Sequence, residues 1–285
     1  MKRKVSRIAF LVVALALPLL SLAQEGPLNP AEPKGITVDQ IIQRFAAKEK
    51  EFKQARDNYT YRQDVKVQTV DGNTVTGEFQ EVFDVVFDDK GRRLEQVKFA
   101  PQSTLENGGI RMSSEDFADI RHRLPFVLTS DEIPEYQILY AGQQQEDELH
   151  CYVFDIAPKT IEKNKRYFQG RIWVDDRDFQ IVKTHGKTVP DIRPGKKGDE
   201  NLFPAFTTWR EQIDGRYWFP TYTKADDFLH FSTGDIHIRE IVKYINYKRF
   251  GANVKITYEG QELPKGQGDQ PPPGQPQAQQ QKPPK

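Results

Sequence analysis

The stretch "GRIWVDDRDFQIVKTHG", residues 170–186, decides the fold. It reads as two strands joined by an acidic turn. Apolar side chains recur with the period of two that marks a pleated strand. The turn, Asp175-Asp176-Arg177-Asp178, carries enough carboxylate to suggest calcium. A calcium loop needs more oxygen ligands at regular spacing, usually with a glycine and a closing glutamate. Turn chemistry accounts for these residues better, because short carboxylates bond the backbone just downstream.

Similar strands extend in both directions. Upstream, "YTYRQDVKVQTV" turns at Asp71-Gly72-Asn73 into "VTGEFQEVFDVVFDD", and a second turn around Lys90-Gly91 leads to "RRLEQVKFAP". Consecutive hairpins make an antiparallel sheet. "YQILYAG", "HCYVFDIAP" and "RYFQGRIWVDD" follow. "VPDIRPGKKGDEN" is expected to be a surface loop. "AFTTWREQIDGRYWFPTYTKADDF", with a hairpin turn at Asp214-Gly215, and "GDIHIREIVKYINYKRF" continue the sheet, and a weaker strand, "NVKITYE", closes it.

Two helices interrupt this pattern. Thr37 and Gln40 form a capping box before a helix predicted over 38–56, whose stripe runs Ile41, Ile42, Phe45, Lys48 or Glu49, and Phe52. Ser113 and Ser114 cap a second, with Phe117, Ile120 and Leu124 at helical spacing and a stop at Pro125. The expected fold is mainly β: one large, curved antiparallel sheet, an unclosed barrel, with two or three covering α-helices.

The N-terminus reads as an export signal over 1–23. "MKRKVSR" is basic, "IAFLVVALALPLL" apolar, and Ser21 and Ala23 are small residues before Gln24. The apolar run is shorter than the roughly 20 residues of a membrane span, so the mature chain is expected to be periplasmic and not membrane-spanning. No cysteine follows the run to take a bacterial lipid anchor. Residues 24–34 are expected to be a flexible lead-in, 35–259 a single β domain, and 260–285, rich in Pro and Gln, a disordered tail.

The whole chain has 41 Lys+Arg against 41 Asp+Glu; without residues 1–23 the basic count is 37, a net charge of −4. That balance argues against a nucleic-acid partner, which needs a basic footprint. Cys151 is the only cysteine, so no intramolecular disulfide forms, and its strand setting marks it as a small core residue. No nucleophile elbow, phosphate loop, dinucleotide fingerprint or zinc-helix motif occurs. His230, Asp235 and His237 could meet across a hairpin, but zinc wants three or four converging ligands. No metal, no cofactor and no enzymatic activity are expected.

What remains is aromatic and apolar. Phe83, Phe87, Phe99, Trp173, Trp209, Trp218 and Phe219 fall on predicted strands. A broad curved sheet has more concave surface than a few helices cover, which suggests a cavity for a greasy ligand. Phe45, Phe117, Leu124 and Phe126 would line its helix side, and Phe83, Phe87, Phe99 and Trp173 its sheet side. A slip of one residue would put any of the strand positions on the wrong face.

Three stretches carry a resemblance. The capped helix running into a meander, "SSEDFADIRHRLPFVLTS", and "YVFDIAPK" followed by "GRIWVDDRDFQIVK" together resemble the periplasmic lipoprotein-carrier and outer-membrane lipoprotein-sorting family. "QIDGRYWFPTYT" is similar to a later hairpin of many relatives. The resemblance implies an unclosed barrel whose concave face, under lid helices, takes up the acyl chains of a lipid or lipidated protein. A regulator sensing envelope state through a protein partner belongs to the same group, and an envelope protein partner is the alternative it implies. The loop 185–208, the segment 221–240 and the tail exceed what a minimal carrier needs.

Overall fold

The structure, a computed structural model, describes residues 25–88, 92–112, 117, 126–163, 165–195, 198–201, 203–249, 257–258 and 261–262. The described chain starts with α1, Val38–Arg56. The Thr37 hydroxyl accepts from the Gln40 amide at 3.2 Å, and the Gln40 side chain accepts from the Thr37 amide at 3.0 Å, so the capping box fixes the first turn. The helix buries Ile41, Phe45, Ala46, Glu49 and Phe52 on one stripe.

The strands are β1 (Tyr59–Asp71), β2 (Thr74–Phe87), β3 (Arg93–Phe99), β4 (Tyr136–Glu146), β5 (Leu149–Pro158), β6 (Tyr167–Asp175), β7 (Ile181–Val189), β8 (Ile192–Gly195), β9 (Gly198–Asn201), β10 (Phe206–Ile213), β11 (Tyr217–Phe231) and β12 (Gly234–Arg249). Their order is β3-β2-β1-β12-β11-β10-β7-β6-β5-β4, antiparallel throughout, with β8 and β9 attached beside β11. β3 and β4 stand at opposite ends of this order, so the sheet does not close. The predicted loop over 189–201 therefore holds a short hairpin. Its bonds are made by backbone, which side-chain alternation does not report.

β12 joins the two halves. One edge pairs with β11 from Tyr222↔Lys243 to Phe231↔Gly234, the other with β1 from Tyr59↔Arg249 to Val70↔His237. At the β1–β2 turn Gly72 has φ 57°, a left-handed conformation that glycine adopts without a steric cost.

α1 lies on one face. Beneath it Phe45 meets Phe154 at 5.5 Å between ring centres, and Ile172, Val174, Ile156 and Ile181 fill the layer. Phe52 packs edge-on to Phe219 at 5.1 Å. Farther along the same face Phe79, Phe83, Val85, Val65, Leu105 and Val242 form a second cluster. On β1 and β2 the opposite face is polar, with Arg62 bonded to Asp84 and Gln80 to Asp64. On β5–β7 both faces are buried, and the simple in–out alternation is lost.

One α-helix is present among the described residues. The second predicted helix, 113–123, lies outside them except for Phe117, which has helical backbone and sets its ring 5.3 Å from Phe79. Leu124 and the turn at Lys90-Gly91 also lie outside. So does the predicted tail, apart from Gln261–Glu262, which pair with Thr257–Tyr258. Glu25 to Ala31, expected as a free lead-in, is bonded along β4: Gly26 N donates to Gln145 O at 2.8 Å, and Asn29 exchanges two 2.8 Å bonds with Gln143. Pairing a sheet edge satisfies amides that water would otherwise hold.

Candidate functional site

The site residues expected from sequence that lie among the described residues, all but Leu124, do not converge on one hollow. Phe45 and Phe83 are fully buried, but in separate clusters. Phe126 stacks on Phe168 at 4.4 Å, and Phe117 covers Phe79. Phe87 lies half-buried at the end of β2. The gap it shares with Phe52, Tyr61, Phe219 and Tyr247 has a volume of about 20 Å³. That is room for about one water molecule, against about 300–1,000 Å³ for a small-molecule site.

Two of the expected residues stand elsewhere. Phe99 is 51% exposed on the end strand β3, opposite Val82, whose neighbours in sequence, Glu81 and Phe83, point under the cover. Trp173 is buried, but on the face turned away from α1. Ile172 and Val174 belong to the cluster beneath α1, and a period of two sends Trp173 between them to the other side.

That other face holds a groove of about 880 Å³ across β4–β7 and β10. Register builds it: Trp173 pairs with Lys183, Lys183 with Trp209, Arg171 with His185, and His185 with Thr207. All of these therefore point the same way. On its floor the Lys183 ammonium lies 4.6 Å from the Trp173 ring centre and 5.8 Å from that of Trp209. Cation–π attraction strengthens as water is excluded, and the Lys183 side chain is 5% exposed.

Two carboxylates complete the cluster. Lys183 Nζ donates to Glu146 Oε1 at 2.7 Å and also to Glu25 Oε1. Burial pushes the Glu146 carboxyl above its usual range, the Lys183 bond pulls it back, and the Glu25 charge adds to the rise. Glu146 Oε2 is buried and has no hydrogen-bond partner among the described residues. Trp173 Nε1 donates to Gln144 Oε1 at 2.8 Å, fixing the indole.

The walls are paired polar groups. Arg171 grips Asp155 through two bonds of 2.7 and 2.9 Å, which raise the guanidinium pKa further. His185 Nδ1 lies 2.8 Å from Thr207 Oγ1, and Lys187 pairs with Asp191. Leu139, largely exposed, is an apolar point on the rim.

The acidic turn beside the groove is a backbone device. Asp175 Oδ2 accepts from the amides of Arg177 and Asp178, and Asp178 Oδ1 from that of Gln180. His230 bonds Asp235, whereas His237 bonds Asp226. No group of three or more metal-ligating side chains occurs among the described residues.

Sequence reasoning missed Lys183, Glu146 and Glu25. A lone lysine inside the apolar run "QIVKTHG" was the available signal. A bulge on β7, where Val182 is the extra residue between Ile181 and Lys183 opposite Val174 and Trp173, shifts the register there, so the facing of Lys183 could not be counted from sequence.

No family matches the chain, and no curated protein does. Solved structures that resemble it in outline include these three. One is a DUF1329 family protein from Desulfovibrio piger, 13% identical, with 73% of this chain and 92% of that chain covered and a TM-score of 0.34. Another is described as an outer-membrane lipoprotein-sorting protein domain from Vibrio parahaemolyticus, 12% identical, covering 71% and 91%, with a TM-score of 0.30. The third is the MucA/MucB complex of Pseudomonas aeruginosa, 10% identical, covering 72% and 100%, with a TM-score of 0.23.

Proposed function

We propose that this chain is an exported, non-enzymatic binding module of the bacterial cell envelope that engages a protein partner through the groove on the face away from α1. The observation that carries this reading is the contrast between the faces. The described layer beneath α1 is filled by side chains, while the opposite face keeps a groove of about 880 Å³. Its lining of glutamines, charged pairs and an exposed leucine suits a polypeptide, which offers backbone donors and acceptors beside apolar points. The His185–Thr207 pair has no third group bonded to the imidazole among the described residues, and nucleophilic catalysis needs one to orient the base.

Acyl-chain carriage is the second reading. It draws on the other half of the sheet, where Phe79, Phe83 and Phe117 meet. Two measurements separate the readings. A photoreactive residue in place of Leu139, on the groove rim, is expected to capture a discrete protein in the envelope, whereas one at the equally exposed Ile161, outside the groove, is not. Native mass spectrometry of the chain, purified without detergent, is expected to show no bound lipid. A lipid-mass adduct with no capture at Leu139 would replace the first reading by the second.

A further inference from the structure

The groove has an occupant supplied by the chain itself. Glu25 reaches Lys183, and the backbone behind it runs along β4: Gly26 N to Gln145 O, Gln144 Nε2 to Gly26 O, Asn29 to and from Gln143, and Tyr140 Oη to Ala31 O. These are the contacts of an added strand. Pro27 and Pro30 fall where no amide is needed, so the segment also ends the sheet.

β4 is shaped for this approach. Gly142 has φ 142°, and a Cβ there would come within 2.3 Å of Asn29 O. Only glycine lets the passing backbone come so close. The two carboxylates on Lys183 are unequal: the Glu146 side chain is 10% exposed, that of Glu25 56%. Glu146 is part of the wall, and Glu25 is a visitor from solvent. A segment tied by a few hydrogen bonds, partly open to solvent, opens at low cost compared with a core strand.

We propose that Lys183 and the β4 edge together form an acceptor for an extended, carboxylate-bearing strand of a partner protein, with residues 25–30 holding this place in the free chain. The proposal rests on the partner-binding reading above and names where the partner docks and what it must carry. Without Glu25, Arg171 keeps Asp155, Lys187 keeps Asp191 and Lys183 keeps Glu146, so Lys183 alone loses its second carboxylate, the place an acidic side chain of an incoming strand would take. Glu146 Oε2, buried and unpartnered among the described residues, offers an acceptor for a donor on the incoming strand. Adding a strand to an edge gives affinity through main-chain bonds and selectivity through one side-chain pocket. A saccharide fits less well, since the rings of Trp173 and Trp209 already hold the lysine.

The tethered segment competes with any partner at an effective concentration on the order of millimolar. Weakening it therefore exposes the acceptor. The test uses the full mature chain, its Glu25→Gln variant and a C-terminally labelled peptide, EGPLNPAEP, read by fluorescence anisotropy. A charge-assisted bond is at stake, so the variant should bind the peptide at least about tenfold more tightly than the parent chain. A peptide with Gln in place of its first Glu, the counterpart of Glu25, should lose at least about as much affinity for the variant. Circular dichroism checks that the variant is folded. Equal affinity for both chains, or no binding to the folded variant, overturns the proposal. Capture at Leu139 separates the two claims: if it persists while the peptide fails, strand replacement alone is wrong, and if both fail the partner-binding reading fails as well.

Discussion

Arg210 on β10 and Glu49 on α1 form a buried ion pair, with Nη1 2.9 Å from Oε1 and Nη2 3.3 Å from Oε2. Their side chains are 2% and 1% exposed. Arg210 Nη2 also donates to the Phe126 carbonyl at 2.5 Å, so one guanidinium ties the helix and the 126–129 segment to the sheet. Burial pushes the Glu49 carboxyl up, and Arg210 opposes the rise. Because desolvation offsets much of the attraction, the pair specifies where α1 sits more than it adds stability.

Arg210→Met is therefore expected to cost about 3–5 kcal/mol, since it strands a buried carboxylate. The double variant Arg210→Met/Glu49→Leu should recover most of that loss. Urea unfolding of the parent and the two variants measures it. A single variant as stable as the parent would show that the pair does not hold α1 down.

Phe83→Ala is expected to destabilise the chain by about 3–5 kcal/mol, as for a phenylalanine lost from a packed core. Phe99→Ser, on the solvent side of β3, should stay within about 0.5 kcal/mol of the parent. Thermal melts of both variants test the faces assigned to these strands. A large loss at Phe99 would mean that β3 is covered.

Gly142→Val is expected to release residues 25–31. The side chain would be strained by the backbone conformation and would meet Asn29 O. Limited proteolysis should cut this variant within 25–33 faster than the parent, while the rest of the sheet stays resistant. Unchanged cleavage would mean that the segment is held elsewhere.

Arg62 bonds Asp84 at 2.7 Å across β1 and β2, and this bond holds the Asp84 carboxyl below its usual range. A depressed folded pKa contributes stability above the unfolded value of about 3.9, lost as pH falls through the folded value. The stability difference between parent and Asp84→Asn should accordingly shrink as pH falls below about 4. The pair is partly exposed, so the effect is small and weakens with salt. Denaturant titrations at several pH values measure it, and a gap that widens toward acid would reverse the assignment.

Cys151 is buried and its thiol is pushed up by burial, with the charges of Asp175 and Glu146 adding to the rise. It should ignore a thiol reagent in the native chain and react once urea unfolds it. Rapid native labelling would show that the β5 face opens.

The sequence by itself determined the local elements. Thr37 and Gln40 set the start of α1, Asp71-Gly72-Asn73 set a hairpin, and the Asp175 carboxylate set the acidic turn of residues 175–178. Each depends on residues within a few positions of one another, so local chemistry suffices. The run of hairpins likewise implied an antiparallel sheet. Tertiary structure alone decided that β12 would join β1 to β11, because that pairing lies in backbone bonds between residues some 180 positions apart. It also decided the faces: β5–β7 are buried on both sides, so apolar alternation could not say whether Trp173 or Ile172 looks toward α1. The groove followed from that choice. Lys183, Glu146 and Glu25 are distant in sequence, and the lone lysine in its apolar run is the one local sign of them. Only the stacking of strands, and the laying of residues 25–30 along β4, brings two carboxylates and two indoles onto one ammonium, where excluded water makes their attraction count.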